Sequence, residues 1–418
     1  MLNNFKTKIK AFLKQEIQSA VRDSFEEQSE KHQVKCVVDR VPVEQLKSVN
    51  YVRELKAALD ADDPKQASVI IKRFAKLRSN QKSTELETAK KLHSMLVKKR
   101  TDERYRDSLS ALFYSYYVDE FTSDQFADVY NMRFSIMQAA SLKLQYVRRR
   151  RMKQIGQVPD RYLTSSKLAG EEFAQMAGVR CPKSEHGLML SDLKRGRDGI
   201  IIKPQVGEGS KGVFLVNTEN DIWNVKDHKP CSGWDEMIAT LQDLLNKGVI
   251  RKDLFEVQEA IYTNRKNKEM GRDLKFYTFY GDVPAVKEII RAPYLYAWWW
   301  SEDGKIIYQD EGIPEDVKPM GFTKEMLEEA RRLSLKIPAP FMRLDFLRGE
   351  DHLYFGEFCS MSGGQIGAFM EYISDKWDRI FGNCYLKAEM RLMNDLLAGK
   401  KFDEINEFNK RIEARKEK

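Results

Sequence analysis

The first glycine in this chain is Gly156, and Pro42 and Pro64 are the only prolines before Pro159. A sheet protein turns its strands with residues that tolerate positive φ or pre-set a bend, so 155 residues without glycine are hard to build from strands and hairpins. Leu2, Phe5, Ile9, Phe12, Leu13, Ile17 and Val21 recur at helical spacing, and further apolar-periodic segments cover about 51–60, 66–78, 85–99, 103–119 and 123–150. The pattern predicts an all-helical N-terminal domain over 1–154.

The composition changes at about 155. Gly156, Pro159, Gly170, Gly178 and Pro182 arrive close together, and short β-rich runs follow at 199–203, 212–216, 255–262, 274–280, 285–290, 305–309, 342–347 and 352–358. Helical patterns sit between them at 160–177, 233–247 and 323–336. Mixed strands and helices predict an α+β catalytic domain over 155–390. A charged helical segment closes the chain at 391–418, and no internal repeat is visible.

Composition narrows the function classes. Lys plus Arg number 71 against 63 acids, so a formal charge of +8 is mostly cancelled and nucleic acid is a poor fit as the main partner. The five cysteines form no CxxC pair, and the five histidines have no zinc-ligand spacing. No apolar signal core or stretch of 18 apolar residues is evident, which predicts a cytoplasmic protein.

Three motifs carry chemistry. In Ile200-Ile201-Ile202-Lys203-Pro204-Gln205-Val206-Gly207-Glu208-Gly209-Ser210-Lys211-Gly212, an apolar strand delivers a lysine and a glycine loop follows. Glycines let amide groups approach phosphate oxygens, and the lysine adds a point charge. The lysine precedes the glycines and no helix follows, so this is neither a Walker A loop nor a Rossmann fingerprint. Read alone, it is equally an ordinary glycine hairpin. Arg343-Leu344-Asp345 and Glu357-Phe358-Cys359 lie on strands that can pair, which puts Asp345 and Glu357 on one face as two hard oxygen ligands for magnesium. Two surface acids on a hairpin is the plainer reading. Asp273 and Lys275 share a face of a third strand and suit a ribose and a phosphate, or a surface ion pair.

In order along the chain, these motifs resemble the ATP-grasp superfamily, and most of all its TupA-like group, associated with teichuronopeptide and other surface-polysaccharide synthesis. The resemblance covers about 155–390. It implies that Lys167, 11 residues before Gly178, and Lys203 are the nucleotide-binding lysines, with Arg161 as a competitor for the first position. Gly207, Glu208, Gly209, Ser210 and Gly212 fall in the mobile loop over the phosphates. Gln258, Glu259, Ala260 and Ile261 match the strand whose backbone contacts adenine, and Asp273 a ribose-side acid. Lys275, Arg291 and Arg343 match basic residues at the transferred phosphate, and Asp345 and Glu357 the metal-binding acids. Met361-Ser362-Gly363-Gly364-Gln365 resembles the loop after the last ligand, and Trp377-Asp378 with Gly382 a closing helix motif. Cys359 stands where many relatives have asparagine, a departure that weakens the metal site or signals lost activity.

The resemblance implies ATP and Mg2+ as cofactors and a carboxylate–amine ligase working through an acyl phosphate. Its partners would be an amine or amino acid and a carboxylate-bearing sugar, in capsule or O-antigen synthesis. Peptide ligation, phosphoryl transfer and a degenerate scaffold binding a polyanion are the alternatives. The run Arg148-Arg149-Arg150-Arg151-Met152-Lys153 suits an anionic glycan or a solvated helix end. The basic amphipathic segment 1–21 suits the inner membrane surface or helix packing. Trp298, Trp299 and Trp300 with Tyr294 and Tyr296 suit sugar stacking or a core.

Overall fold

A computed structural model describes residues 45–96, 112, 140–156, 163–164, 166–207, 209–291, 294–361 and 373–416. The chain divides into two compact units, 1–139 and 140–418. The expected helix at 1–21 lies outside the described residues.

The described part of the first unit is a pair of helices, α1 (Gln45–Asp60) and α2 (Pro64–Leu96). Asp62 turns the chain at φ 49°, and the Asp63 carboxylate accepts the Gln66 amide at 2.9 Å. Pro64 opens α2, where its missing N–H costs no hydrogen bond. Ala58 and Ile70 are buried, and Arg73 lies over the Tyr51 ring at 5.5 Å while pairing with Glu54.

The second unit begins with α3 (Leu142–Gln154), capped by the Ser141 hydroxyl, so the arginine run sits on the exposed C-terminal half of that helix. The helix α4 (Lys167–Met176) follows, capped by Ser166. Then comes a six-stranded antiparallel sheet from β1 (Ser184–Leu188), β2 (Ile200–Pro204), β3 (Phe214–Thr218), β4 (Asp221–Asn224), β5 (Lys229–Cys231) and β6 (Phe255–Glu259), in the order β1-β6-β2-β3-β4-β5. Strand alternation gives this sheet two faces. Ile200, Ile202, Phe214, Val216, Phe255 and Val257 pack on α5 (Trp234–Asn246) through Trp234, Met237 and Leu241. The other face carries Ile201 and Lys203 of β2 opposite Gln258 and Glu256 of β6.

A short ribbon, β7 (Tyr262–Asn264) with β8 (Glu269–Met270), leads to the second sheet. It contains β9 (Arg272–Phe279), β10 (Asp282–Ile290), β11 (Tyr296–Ser301), β12 (Ile306–Gln309), β13 (Met342–Arg348) and β14 (Leu353–Cys359), in the order β12-β11-β10-β9-β13-β14. Its core face packs on α6 (Lys324–Leu335), α7 (Asp375–Leu397) and α8 (Asp403–Lys416) within the largest hydrophobic cluster. The β-runs expected from the sequence fall on strands. Those missed are β1, β4, β5, β8 and the aromatic β11.

Two local features set the site's frame. Asp345 pairs with Glu357, yet the next residue, Phe346, pairs with Phe355, so Gly356 is an extra residue in β14. A Cβ there would meet the Asp345 carbonyl oxygen at 2.9 Å, so only glycine fits this bulge. At the opposite side of the sheet, the fully buried Glu288 accepts from Arg272 at 2.7 Å, Trp300 Nε1 at 3.1 Å and the amides of Met320 and Gly321 at 2.9 and 2.8 Å. Trp300 therefore belongs to the structural side of β11, as does the buried Trp298 under Arg272. Of the three tryptophans, Trp299 alone faces the other way.

Trp377, Asp378 and Gly382 have a packing explanation. The Asp378 carboxylate accepts the Lys143 amide at 2.9 Å, which adds to the cap on α3. A Cβ on Gly382 would lie 1.2 Å from the Ala140 carbonyl oxygen, so α7 approaches the start of α3 as closely as backbone allows.

Candidate active site

Residues of one strand face alternate, and antiparallel partners stand directly opposite. The second sheet therefore carries a file across its strands: Tyr308, Trp299, Lys287, Lys275, Asp345 and Glu357. A neighbouring file holds Arg343 between Tyr277 and Cys359, and Asp273 lies on the other side beside Ile289 and Leu347.

Asp345 is buried at the centre. Arg343 donates to both of its oxygens, at 2.6 and 2.7 Å, and Lys275 pairs with it from β9. Burial alone would push this carboxyl up, but Lys275 and Arg343 outweigh it and hold Asp345 down at about 2. It is ionised at any working pH. Arg343 is 6% exposed at its side chain and also reaches Cys359 Sγ at 3.0 Å. Burial is unfavourable to its charge, but Asp345 keeps it a permanent cation. Arg291 donates twice to Asp273, with Nε at 2.8 Å, and touches the Ser210 hydroxyl at 3.3 Å. His228 Nδ1 lies 2.7 Å from the Arg291 carbonyl oxygen. The glycine loop, the first sheet and the second sheet thus meet at Arg291.

On the first sheet, Lys203 Nζ lies 3.0 Å from Glu256 and 3.1 Å from the Gln258 side-chain oxygen. Lys167, at the start of α4, feels Lys203, Glu357, Glu256 and Cys359, so it stands between the two sheets. Burial, and then Lys203, lower its pKa. The strand leaving β6 has its amides partly committed: Glu259 donates to Lys183 at 2.9 Å, Ala260 donates to Gly199 at 2.8 Å, and Ile261 accepts from Gly271 at 2.6 Å. The Ile261 N–H has no partner among the described residues. An unpaired buried amide of this kind suits the edge of a flat base.

The loop glycines are justified by backbone. Gly209 and Gly212 sit at φ +69° and +70°, and a Cβ on Gly212 would meet Ile250 at 2.8 Å. Ser210 holds φ 59° beside Arg291, and Gly207 closes the described part of the turn. Glu208, Arg161 and Ser362 to Gln365 lie outside the described residues.

The structure holds Asp345, Glu357 and Cys359 with their ligand atoms within 4.8 Å of one another. Glu357 is 41% exposed at its side chain, open to a ligand. Asp345 accepts three hydrogen bonds and has lone-pair capacity left. Burial, then Asp345 and Glu357, push the Cys359 thiol up, so it stays protonated and offers a hard cation little. The two carboxylates fit a magnesium ion that takes its remaining ligands from phosphate and water.

Sequence reasoning did not single out Lys287, nor the group Glu171, His186 and Glu256. His186 lies 3.5 Å from Glu171 and 3.9 Å from Glu256, one step behind Lys203. Burial raises the Glu171 pKa. Glu171 is one helical turn after Lys167, which was the only available signal.

The site is thus built from two antiparallel sheets, with a lysine-led glycine loop on one and paired carboxylates on the other. Residues 185–386 match the family described as TupA-like ATPgrasp, just under half of the chain. Similar solved structures include the D-alanine–D-alanine ligase of Bacillus anthracis, at 14% identity and TM-score 0.34 over 58% of this chain and 75% of that one. The L-amino acid ligase of Bacillus licheniformis is 13% identical, with TM-score 0.29 over 49% of this chain and 42% of that one. The ATP-grasp ligase PsnB, bound to its precursor peptide PsnA2 and AMPPNP, is 11% identical, with TM-score 0.33 over 65% and 76%. A comparison with curated proteins gives no match. No helix among the described residues is long and apolar enough to cross a membrane.

Proposed function

We propose that the protein is an ATP-dependent carboxylate–amine ligase that works through an acyl phosphate. The observation that carries this reading is that Lys167 stands beside Lys203 of one sheet and Glu357 of the other, with Glu357 opposite Asp345 and its partners Arg343 and Lys275. Phosphoryl transfer needs charge neutralisation and positioning more than covalent help from the protein. Lys167, Lys203 and the amides of the loop around Gly207, Gly209, Ser210 and Gly212 hold the phosphates. Gln258 orients Lys203, while Glu259, Ala260 and Ile261 present backbone to the adenine, and Asp273 lies on the ribose side.

Asp345 and Glu357 would hold the magnesium, which supplies charge neutralisation at the phosphate oxygens when bound. The substrate carboxylate attacks the terminal phosphate of ATP, forming a C–O–P anhydride as the bond to ADP breaks. The amine then displaces phosphate and loses its proton. Arg343 and Arg291 are cations placed against the charge that develops on the transferred group, and Lys275 bridges that charge to Asp345. Docking of the glycine loop on Arg291 through Ser210 excludes water from the anhydride.

The acid is a uronic-acid unit of a surface polysaccharide or its precursor, and the amine an amino acid, as the family's association with teichuronopeptide synthesis suggests. A helical N-terminal domain and a station at the inner membrane surface complete this reading. The test is ADP release with magnesium over a panel of uronic acids and amino acids, comparing wild type with Lys203→Ala and Glu357→Ala. Release that needs one acid–amine pair and both residues supports the ligase. Wild-type protein that binds no nucleotide overturns it.

A further inference from the structure

We propose that Lys287 receives the carboxylate of the acid substrate, and that Lys287, Trp299 and Tyr308 on β10–β12 form the acceptor half of the site. The proposal rests on the ligase reading above and assigns it a substrate-selecting residue.

The first observation is position. Lys287 stands in the same file as Lys275, Asp345 and Glu357, directly opposite Lys275. At a strand spacing of about 4.8 Å, it lies about 10 Å from Asp345 and about 14 Å from Glu357 across the sheet. An acid held there approaches the nucleotide's terminal phosphate from the side away from the two carboxylates. It therefore stays clear of both of those carboxylates.

The second observation is what Lys287 lacks. Lys275 and Arg343 are engaged by Asp345, and Arg291 by Asp273. Among the described residues no carboxylate lies within ion-pair distance of Lys287, and its ammonium lies over the Trp299 ring at 5.3 Å. Trp299 is itself backed by Tyr277 at 5.0 Å between ring centroids. A largely buried ammonium against an aromatic wall, with cations as its neighbours, is costly until an anion arrives. Burial, followed by Lys275, Arg343 and Arg291 after the opposing pull of Asp310, lowers its pKa, in keeping with that cost. Asp310 lies beyond ion-pair distance and is held by the Ala297 amide at 2.8 Å and by the Tyr308 side chain.

The third observation is room. β12 is the edge of the sheet, and Tyr308, which stands on its Lys287 face, is partly exposed. A small acid fills the Lys287 position, while the remainder of a larger one runs out over β11 and β12. The chemistry therefore selects an acid over its neutral counterpart and tolerates bulk behind it.

The experiment is titration calorimetry on the full chain with ADP and Mg2+ present. The probes are d-glucuronate, d-galacturonate, L-glutamate and acetate, each against d-glucose, d-galactose, L-glutamine or acetamide. At least one acid should bind wild type more tightly than its neutral counterpart. Lys287→Met should weaken that acid about 10- to 100-fold, the range for losing a charge-assisted hydrogen bond, with ADP affinity held. Lys287→Arg should keep most of the preference. Should Lys287→Met fail to bind ADP, Lys287→Gln is judged by the same criterion. Acid binding that survives the loss of the ammonium, or no preference for any acid in wild type, overturns the proposal while leaving ADP binding and the ligase reading intact. Wild type that binds no ADP overturns both.

Discussion

Replacing Asp345 with asparagine keeps the side chain's size and removes one charge. In the native site that charge holds two cations, Arg343 through two hydrogen bonds and Lys275 through a third, all in a largely buried position. Removing one partner of a buried pair leaves the other unpaired, at about 3–5 kcal/mol. At about 2–3 °C per kcal/mol for a unit of this size, Asp345→Asn should melt about 6–15 °C below wild type by circular dichroism. Lys275→Met should cost less, because Arg343 remains on Asp345. The double variant should cost less than the sum by about 2 kcal/mol, since neither remaining group is left without its partner twice over. The pH dependence has a fixed sign. A carboxyl at about 2 in the folded chain, against 3.8 in a model compound, contributes about 2 kcal/mol that is fully present above pH 4 and lost as pH falls towards 2. An Asp345→Asn variant within about 1 kcal/mol of wild type, or strict additivity with Lys275→Met, would refute the view that this carboxylate organises the site.

Gly382→Ala forces a carbon into the Ala140 carbonyl, so we expect a loss of about 3 kcal/mol or more, and a wild-type melting temperature would contradict the α3–α7 contact. Gly212→Ala meets both a positive φ and Ile250; it should lower stability by about 2 kcal/mol and weaken nucleotide binding in a fluorescent ATP-analogue titration, and unchanged affinity would count against a shaped loop. Burial pushes Cys181 up to about 12 and Cys384 up to about 11, and burial with its flanking carboxylates keeps Cys359 protonated. Iodoacetamide at pH 8 should therefore label these three thiols slowly, and rapid labelling of Cys359 seen by peptide mass spectrometry would mean that its neighbours do not hold it neutral.

Much of the second unit was legible because its strands are short, β-branched or aromatic, and broken by glycine. Lys203 after three isoleucines, and Asp345 two residues from Arg343, announce themselves through alternation. β1 did not, because Ser-Glu-His-Gly-Leu has no strong strand former and gains its place only by pairing with β6. The three tryptophans read as one aromatic surface, yet alternation splits them and sends Trp298 and Trp300 to the buried side. Lys287 beside Glu288 looks like a surface ion pair in sequence. The two point to opposite faces, and only the register of four strands shows what each one meets. The ionic partners of Asp345 were equally hidden, since Lys275 comes from 70 residues away.

The extra residue at Gly356 makes the site sensitive to reading frame in the sheet rather than in the gene. Straightening the bulge, so that residue 356 took the place opposite Asp345, would restore an uninterrupted ladder and turn every later position of β14 to the other face. Glu357 would then oppose Leu344 and turn towards the packed interior, while Phe358 would come to stand opposite Arg343. One backbone unit, with no side chain of its own, therefore decides whether the strand ends in a pair of acids or in a hydrophobic plug. A lineage that straightened this kink would keep every residue of the site while turning Glu357 away from Asp345.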